Sequence, residues 1–187
     1  GTNPISIAVP SNLESPLYLD MATSSVSNGK VAVAAARGEQ IPEGWVIDAD
    51  GNHTTDPTKL KGGALLPLGG SEGYKGTGLG AMVEILCGLL TGLGFGVTGR
   101  HNDGCFLAVF NVEAFRPLAD FKNEVADFAQ YLNETPPMEG SSGVLYPGEI
   151  EKIREAERRA GGIPIEDTTW KRLTDLAAEL GVDSNIG

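Results

Sequence analysis

Cysteine is scarce. Cys87 and Cys105 are the two in 187 residues, too few and too widely spaced for a disulfide framework or a Cys-x-x-Cys metal or redox pair. Cys87 lies in an apolar helical run and reads as a small buried hydrophobe. A reduced, cytoplasmic setting is the simplest one. Histidine is equally scarce. His53 and His101 have no metal-ligand spacing to a cysteine or an acid, and neither joins a Ser-His-Asp set. No metal site is expected.

Positive charge is also in short supply. Lys and Arg number 14 against 25 Asp and Glu, a formal net charge of -11. Nucleic-acid affinity is driven by cations neutralising phosphates, so this balance speaks against such a partner and mainly favours solubility. A long uninterrupted apolar run is missing too. Residues 79–97 approach the length of a membrane span but include Glu84 and several glycines. A central acid costs about 2.5 kcal/mol or more in a bilayer, so a buried helix and a turn are expected there, with no membrane partner. There is no internal repeat, no low-complexity tract and no visible signal peptide, in a chain that opens on Gly1.

What is present is ordinary globular material, 41% apolar and 21% charged, with 26 glycines placed singly or in pairs between apolar runs. The length suits one domain with a core, or one domain plus a helical extension. The alternation Ile5, Ile7, Val9 between prolines predicts a strand, and residues 17–22 a second. Residues 31–37 are helical, with Gly38 placed to stop them. Residues 44–48 form a short strand, followed by a turn at Asp50-Gly51. The clearest helix spans 78–90, with Leu79, Met82, Val83, Leu86, Leu89 and Leu90 at helical spacing. Residues 105–110 read as a buried strand. Amphipathic helices follow at 115–132, carrying Phe121, Val125, Phe128 and Leu132 on one face, and at 149–161 and 170–180. Strands alternating with helices make the fold class α/β or α+β, a mixed sheet with flanking helices. Pro136-Pro137 through Gly143 is the best linker, dividing a domain at 1–135 from a C-terminal helical segment at 136–187.

Two local patterns imitate binding motifs. Gly94-Phe95-Gly96-Val97-Thr98-Gly99 matches G-x-G-x-x-G, but a helix precedes it and a strand is expected after it. A Rossmann turn needs the reverse order, so the pyrophosphate can meet a helix N-terminus. Asp48-Ala49-Asp50-Gly51-Asn52 resembles the start of a calcium loop, but its glycine falls at the fourth position and Lys59 at the twelfth. A turn is the simpler reading. Lys75 lies between Gly73 and Gly76 at the mouth of the clearest helix. There a ligand can approach the backbone and a cofactor phosphate can meet a point charge, or the lysine is simply exposed in a loop. Tyr146-Pro147-Gly148-Glu149 precedes a charged helix and, on local pattern, reads as a turn and helix entry with Glu149 complementing the helix dipole.

Several stretches, in order, resemble the malate/L-lactate dehydrogenase-like family. They are Gly1-Thr2-Asn3-Pro4-Ile5, Asp20-Met21-Ala22-Thr23-Ser24, Gly38 through Trp45, Thr55-Asp56-Pro57, Gly63 through Gly70, Tyr74-Lys75-Gly76 running into Met82 through Leu86, and Pro147-Gly148-Glu149 with Gly162-Ile163. The resemblance implies a non-Rossmann cofactor fold, a homodimer, and hydride transfer between NAD or NADP and the carbon alpha to a carboxylate in a 2-hydroxy or 2-oxo acid. Malate, lactate, sulfolactate, ureidoglycolate and cyclic imino acids are the family's substrates. It implies cofactor contacts from Asp20, Met21, Ala22, Lys75, Pro147, Gly148 and Glu149, and a substrate or nicotinamide contact from Thr2. It also implies that this chain is the C-terminal half of such an enzyme, with the 136–187 segment returning to a domain formed with the N-terminal half. The catalytic acid/base histidine and the carboxylate-binding arginine are then expected upstream of Gly1. Arg100 and His101 are adjacent but do not match the family's pair. The alternative is a catalytically silent homologue serving as a cofactor-binding or dimerisation module.

Overall fold

Strand β1 (Ile5–Val9) and strand β2 (Leu17–Met21) pair antiparallel, Ile5 opposite Met21 and Val9 opposite Leu17, in a computed structural model that describes residues 2–96 and 104–182. Pro4 and Pro10 bracket β1, where a missing N–H ends the ladder at no cost. Ile5, Ile7 and Val9 share one face of the strand. Its ends are half-buried, while Ile7 is 54% exposed.

The second sheet is small. Strand β3 (Val46–Ile47) lies between β4 (His53–Thr54) and β5 (Ala64–Leu65), antiparallel to both. Helix α1 (Asn28–Arg37) begins at Ser27, whose side chain accepts from the Lys30 amide, and ends at Gly38 in the left-handed region, φ 68°. One core joins these elements: Val26, Val31, Ile41 and Val46, with Ala34, Trp45, Leu60 and Leu65 packed against it. Val46 is fully buried, and burying a valine contributes about 1.5 to 3 kcal/mol.

The expected mixture of strands and helices is present. The strands form two small sheets, and every strand pairing among the described residues is antiparallel. Short connections, such as those from β1 to β2 and from β3 to β4, return the chain alongside itself. A parallel pairing would need a long crossover.

Two expectations fail on burial. Residues 105–110 join neither sheet, and Leu107, Val109 and Phe110 are 83%, 87% and 75% exposed. A strand-like composition forms a strand only where a neighbour takes its backbone hydrogen bonds. Cys87 is half-buried rather than enclosed.

Helix α2 (Tyr74–Glu84) starts earlier than its apolar periodicity suggested and continues as one π turn, Ile85–Leu89. Helix α3 (Leu118–Glu134) is fastened near its start by Arg116, whose two guanidinium nitrogens reach both Glu124 oxygens at 2.6 Å. Phe121, Val125 and Leu132 are half-buried on it, Ala129 is buried, and Phe128 is exposed.

The chain divides into two units, Gly1–Glu149 and Ile150–Gly187. The division falls beyond the Pro136-Pro137 stretch because Tyr146 is buried and Tyr18 donates its amide to the Pro147 carbonyl, tying that segment to the first unit. Helix α4 (Glu149–Gly161) opens at the last residue of the first unit, and α5 (Asp167–Leu180) lies in the second. Both carry surface ion pairs at helical spacing, Glu155–Arg159 and Lys171–Asp175. Among the described residues no helix is long and apolar enough to cross a membrane.

Candidate functional site

The residues singled out in the sequence gather along β2. At its start, Tyr18 donates to the Pro147 carbonyl at 3.2 Å. Gly148, at φ 94°, lies so close that a β-carbon there would stand 2.9 Å from the Tyr18 ring. Glycine is required on both counts. The Pro147-Gly148 turn is thereby seated on the strand that carries Asp20. Asp20 itself is exposed, and Met21 and Ala22 are half-buried.

At the far end of β2, Thr23 is buried and makes three bonds. Its amide and hydroxyl both donate to the Thr2 carbonyl, at 2.9 and 3.1 Å, and its carbonyl accepts from the Leu68 amide at 2.9 Å. The Leu68 carbonyl accepts from the Gly76 amide at 3.1 Å, and a β-carbon on Gly76 would overlap that carbonyl. A continuous line of contacts thus runs from Thr2 through Thr23 and Leu68 to the start of α2.

Lys75 sits there, inside the first turn of α2 rather than before it. Its side chain is exposed, with the ammonium 5.8 Å from the centroid of the neighbouring Tyr74 ring, near the outer limit for a cation–π contact. Gly73 at the helix start provides no side-chain cap. Glu149 has another use: one carboxylate oxygen accepts from the Tyr146 amide at 3.1 Å and the other from the Asn133 amide side chain at 2.9 Å. It reaches back over the turn as a capping glutamate does.

Helix α2 packs only part of the apolar face expected of it. Gly76, Gly80 and Val83 are its buried residues, while Met82, Leu86, Leu89 and Leu90 point outward, with Met82 56% and Leu90 66% exposed. The glycines let the helix backbone close onto Leu68 and Thr23. A β-carbon on Gly80 would stand 3.0 Å from the Thr23 hydroxyl. The periodicity of large apolar residues marks a face able to be buried; the small residues mark the face that approaches within this chain.

Asn3, Thr23, Gly80 and Glu84 were not named as site residues from the sequence. The signal was available in the glycines Gly76 and Gly80, spaced to lie on one face of a helix. Asn3 donates its side-chain amide to the Gly80 carbonyl at 2.9 Å and to Glu84 at 3.0 Å. The other Glu84 oxygen accepts from the Gly96 amide at 3.0 Å.

Other sequence candidates stand apart from this cluster. Asp48 accepts from the amides of Asp50 and Asn52 at 3.0 and 2.9 Å, forming a turn held by its own side chain and not a calcium loop. His53 is exposed on β4. Arg100, His101 and the last three residues of the G-x-G-x-x-G pattern lie outside the described residues. Among the described residues no group of three or more His, Cys, Asp or Glu could hold a metal ion. A cavity of about 600 Å³ within the second unit, lined by Arg154, Glu157, Arg158 and Gly162 among others, shares no residue with the cluster.

The family model for malate/L-lactate dehydrogenase matches residues 1–174. The chain belongs to this family. It is 37% identical to an L-sulfolactate dehydrogenase of Methanothermobacter thermautotrophicus, over 100% of this chain and 54% of the relative. It is 38% identical to an L-lactate dehydrogenase of Cupriavidus necator, over 97% and 53%. The fold agrees. The malate dehydrogenase structure from Entamoeba histolytica superposes with a TM-score of 0.82 at 27% identity, covering 100% of this chain and 56% of that one. The sulfolactate dehydrogenase structure from Methanocaldococcus jannaschii gives 0.73 at 34% identity, covering 98% and 54%. The chain spans about half the length of these family members. The matches carry the expected family; they do not carry the expected placement in its C-terminal half.

Proposed function

We propose that this chain supplies the cofactor-binding part of a nicotinamide-dependent dehydrogenase acting on a 2-hydroxy acid and its 2-oxo counterpart. Family membership and the malate, lactate and sulfolactate dehydrogenases among its relatives support the reaction class. The line of contacts from Thr2 through Thr23 and Leu68 to the Lys75 turn carries the site. The chemistry of that set suits a dinucleotide, NAD or NADP. The exposed Lys75 ammonium in the first turn of α2 favours an anionic pyrophosphate. The exposed Asp20 carboxylate, an acceptor only when ionised, suits a ribose hydroxyl. Met21, Ala22 and the Pro147-Gly148 turn offer apolar and backbone surface beside it.

When bound, the nicotinamide ring supplies or takes the hydride. The residues of this chain bind and orient the dinucleotide, with Thr2 at the nicotinamide or substrate end. The reaction also needs a group to move a proton at the hydroxyl oxygen and a cation to hold the carboxylate. No residue of the β2 cluster is assigned to either task, and both belong in this proposal to the rest of the complete enzyme, a cytoplasmic homodimer. Titration of the folded chain with NADH and NADPH, followed by nicotinamide fluorescence, tests the reading. Saturable binding of at least one is expected; a folded chain that binds neither overturns it.

The exposed run ending in Val109 and Phe110 favours a second reading, a catalytically silent module that presents apolar surface for dimerisation. The mass of the intact natural protein separates the two. A species near twice this chain's mass supports the enzyme, and a mass matching this chain supports the module.

A further inference from the structure

We infer that Asn3, Thr23, Gly80 and Glu84 form a clamp that sets the orientation of Thr2 toward the nicotinamide end of the cofactor, an inference that rests on the cofactor-binding reading above. Among the described residues, Asn3 is the one non-glycine residue with positive φ, at 38°. Outside glycine this conformation is uncommon, and asparagine is among the residues that adopt it most readily. Asn3 is held from both sides. Its side-chain nitrogen has two hydrogens, and its two acceptors are the Gly80 carbonyl at 2.9 Å and Glu84 at 3.0 Å. The preceding carbonyl, of Thr2, receives both the amide and the hydroxyl of buried Thr23.

Glu84 bridges two segments through its two oxygens, Asn3 on one and the Gly96 amide on the other. A glutamine in its place has one acceptor oxygen and can serve only one of these donors. Gly80 completes the clamp by omission, since a β-carbon would stand 3.0 Å from the Thr23 hydroxyl and 4.0 Å from the Asn3 β-carbon. These four residues act through Thr2 and are positioning residues. The clamp is also set apart from the phosphate end of the site. From Lys75 to Gly80 the helix rises roughly 8 Å, so the two ends of a dinucleotide meet different residues.

That separation gives the test. The dissociation constants of NADH, or of NADPH if the wild type prefers it, and of ADP-ribose, which carries the pyrophosphate but no nicotinamide, are measured for wild type, Asn3→Ala, Glu84→Gln and Lys75→Ala. Expected is a loss of about tenfold or more in dinucleotide affinity for Asn3→Ala and Glu84→Gln, with ADP-ribose affinity within about twofold of wild type. A charge-assisted or buried hydrogen bond supports a change of that order. Lys75→Ala is expected to weaken both ligands alike. Retained ADP-ribose binding shows that each clamp variant is folded. Equal losses for the two ligands in the clamp variants, or a wild type that binds the dinucleotide no more tightly than ADP-ribose, overturn the clamp and leave the cofactor site standing. A wild type that binds neither overturns both.

Discussion

Lys75 and Gly76 are neighbours with opposite duties. The lysine side chain is exposed and packs on little besides Tyr74, so its removal should leave stability within about 0.5 kcal/mol. If it meets a cofactor phosphate, Lys75→Ala should weaken dinucleotide binding roughly ten- to a hundredfold, as the loss of a charge-assisted bond does. Fluorescence titration at low salt measures this, and equal constants for wild type and variant would make Lys75 an ordinary surface residue. Gly76 has the reverse profile. Its β-position is filled by the backbone of Leu68, so Gly76→Ala must push α2 away and should cost about 1 to 3 kcal/mol. Gly78, on the same helix, has nothing within 4 Å of its β-position. Gly78→Ala should therefore stabilise by about 0.5 to 1 kcal/mol, through helix propensity and a less flexible unfolded chain. Thermal unfolding of the two variants should shift in opposite directions; a shared direction would contradict the packing described for α2.

Among elements, α3 offers a clean titration. Its start is held by the two-pronged bond between Arg116 and Glu124. The guanidinium hydrogen bonds hold the Glu124 carboxyl below the usual carboxylate range and, reciprocally, push Arg116 up. With the folded value below the unfolded one, the pair's contribution is complete above the ordinary carboxylate range. It is lost as pH falls through the lowered folded value. Both groups are solvated, so salt should weaken the effect. The carboxyl chemical shift of Glu124 followed against pH should show a depressed midpoint in wild type and an ordinary one in Arg116→Gln; identical midpoints would show that the pair does not persist in solution. The same logic operates at the turn after Thr55, where the Thr58 hydroxyl and amide hold Asp56 below its usual range.

On the scale of the whole molecule, surface is the dominant fact. The chain exposes 13766 Å². Even as two separate compact bodies divided at Glu149, a chain of this mass should expose only about 10,000 Å². Large apolar side chains stand exposed at named places: Ile7 on β1, Met82 on α2, Leu90 just past the π turn, and the run ending in Val109 and Phe110. In the same direction, the chain covers about half of each family member it matches. In the proposed function the β2 cluster binds and orients the dinucleotide, and none of its residues is assigned to move a proton or hold a carboxylate. This chain by itself is therefore expected to bind cofactor without turning over malate, lactate or sulfolactate. A steady-state assay on a preparation verified at 187 residues checks this, and normal turnover would place the missing groups within the chain.

Local features were legible in the sequence because their causes are local. Proline brackets and alternation specify β1, a left-handed glycine ends α1, and the Asp48–Asn52 stretch closes its own turn. The ordered motifs, taken together, carry the family. What only tertiary structure decides is which surface meets which. The apolar run at 105–110 has strand composition but no partner strand, and α2 offers two faces suitable for packing, of which contacts with Leu68 and Thr23 select the glycine face. The clamp on Thr2 was invisible for the same reason. Asn3 and Glu84 are polar residues far apart in sequence, and their meaning lies in a hydrogen bond that exists only once the segment before β1 has met the end of α2.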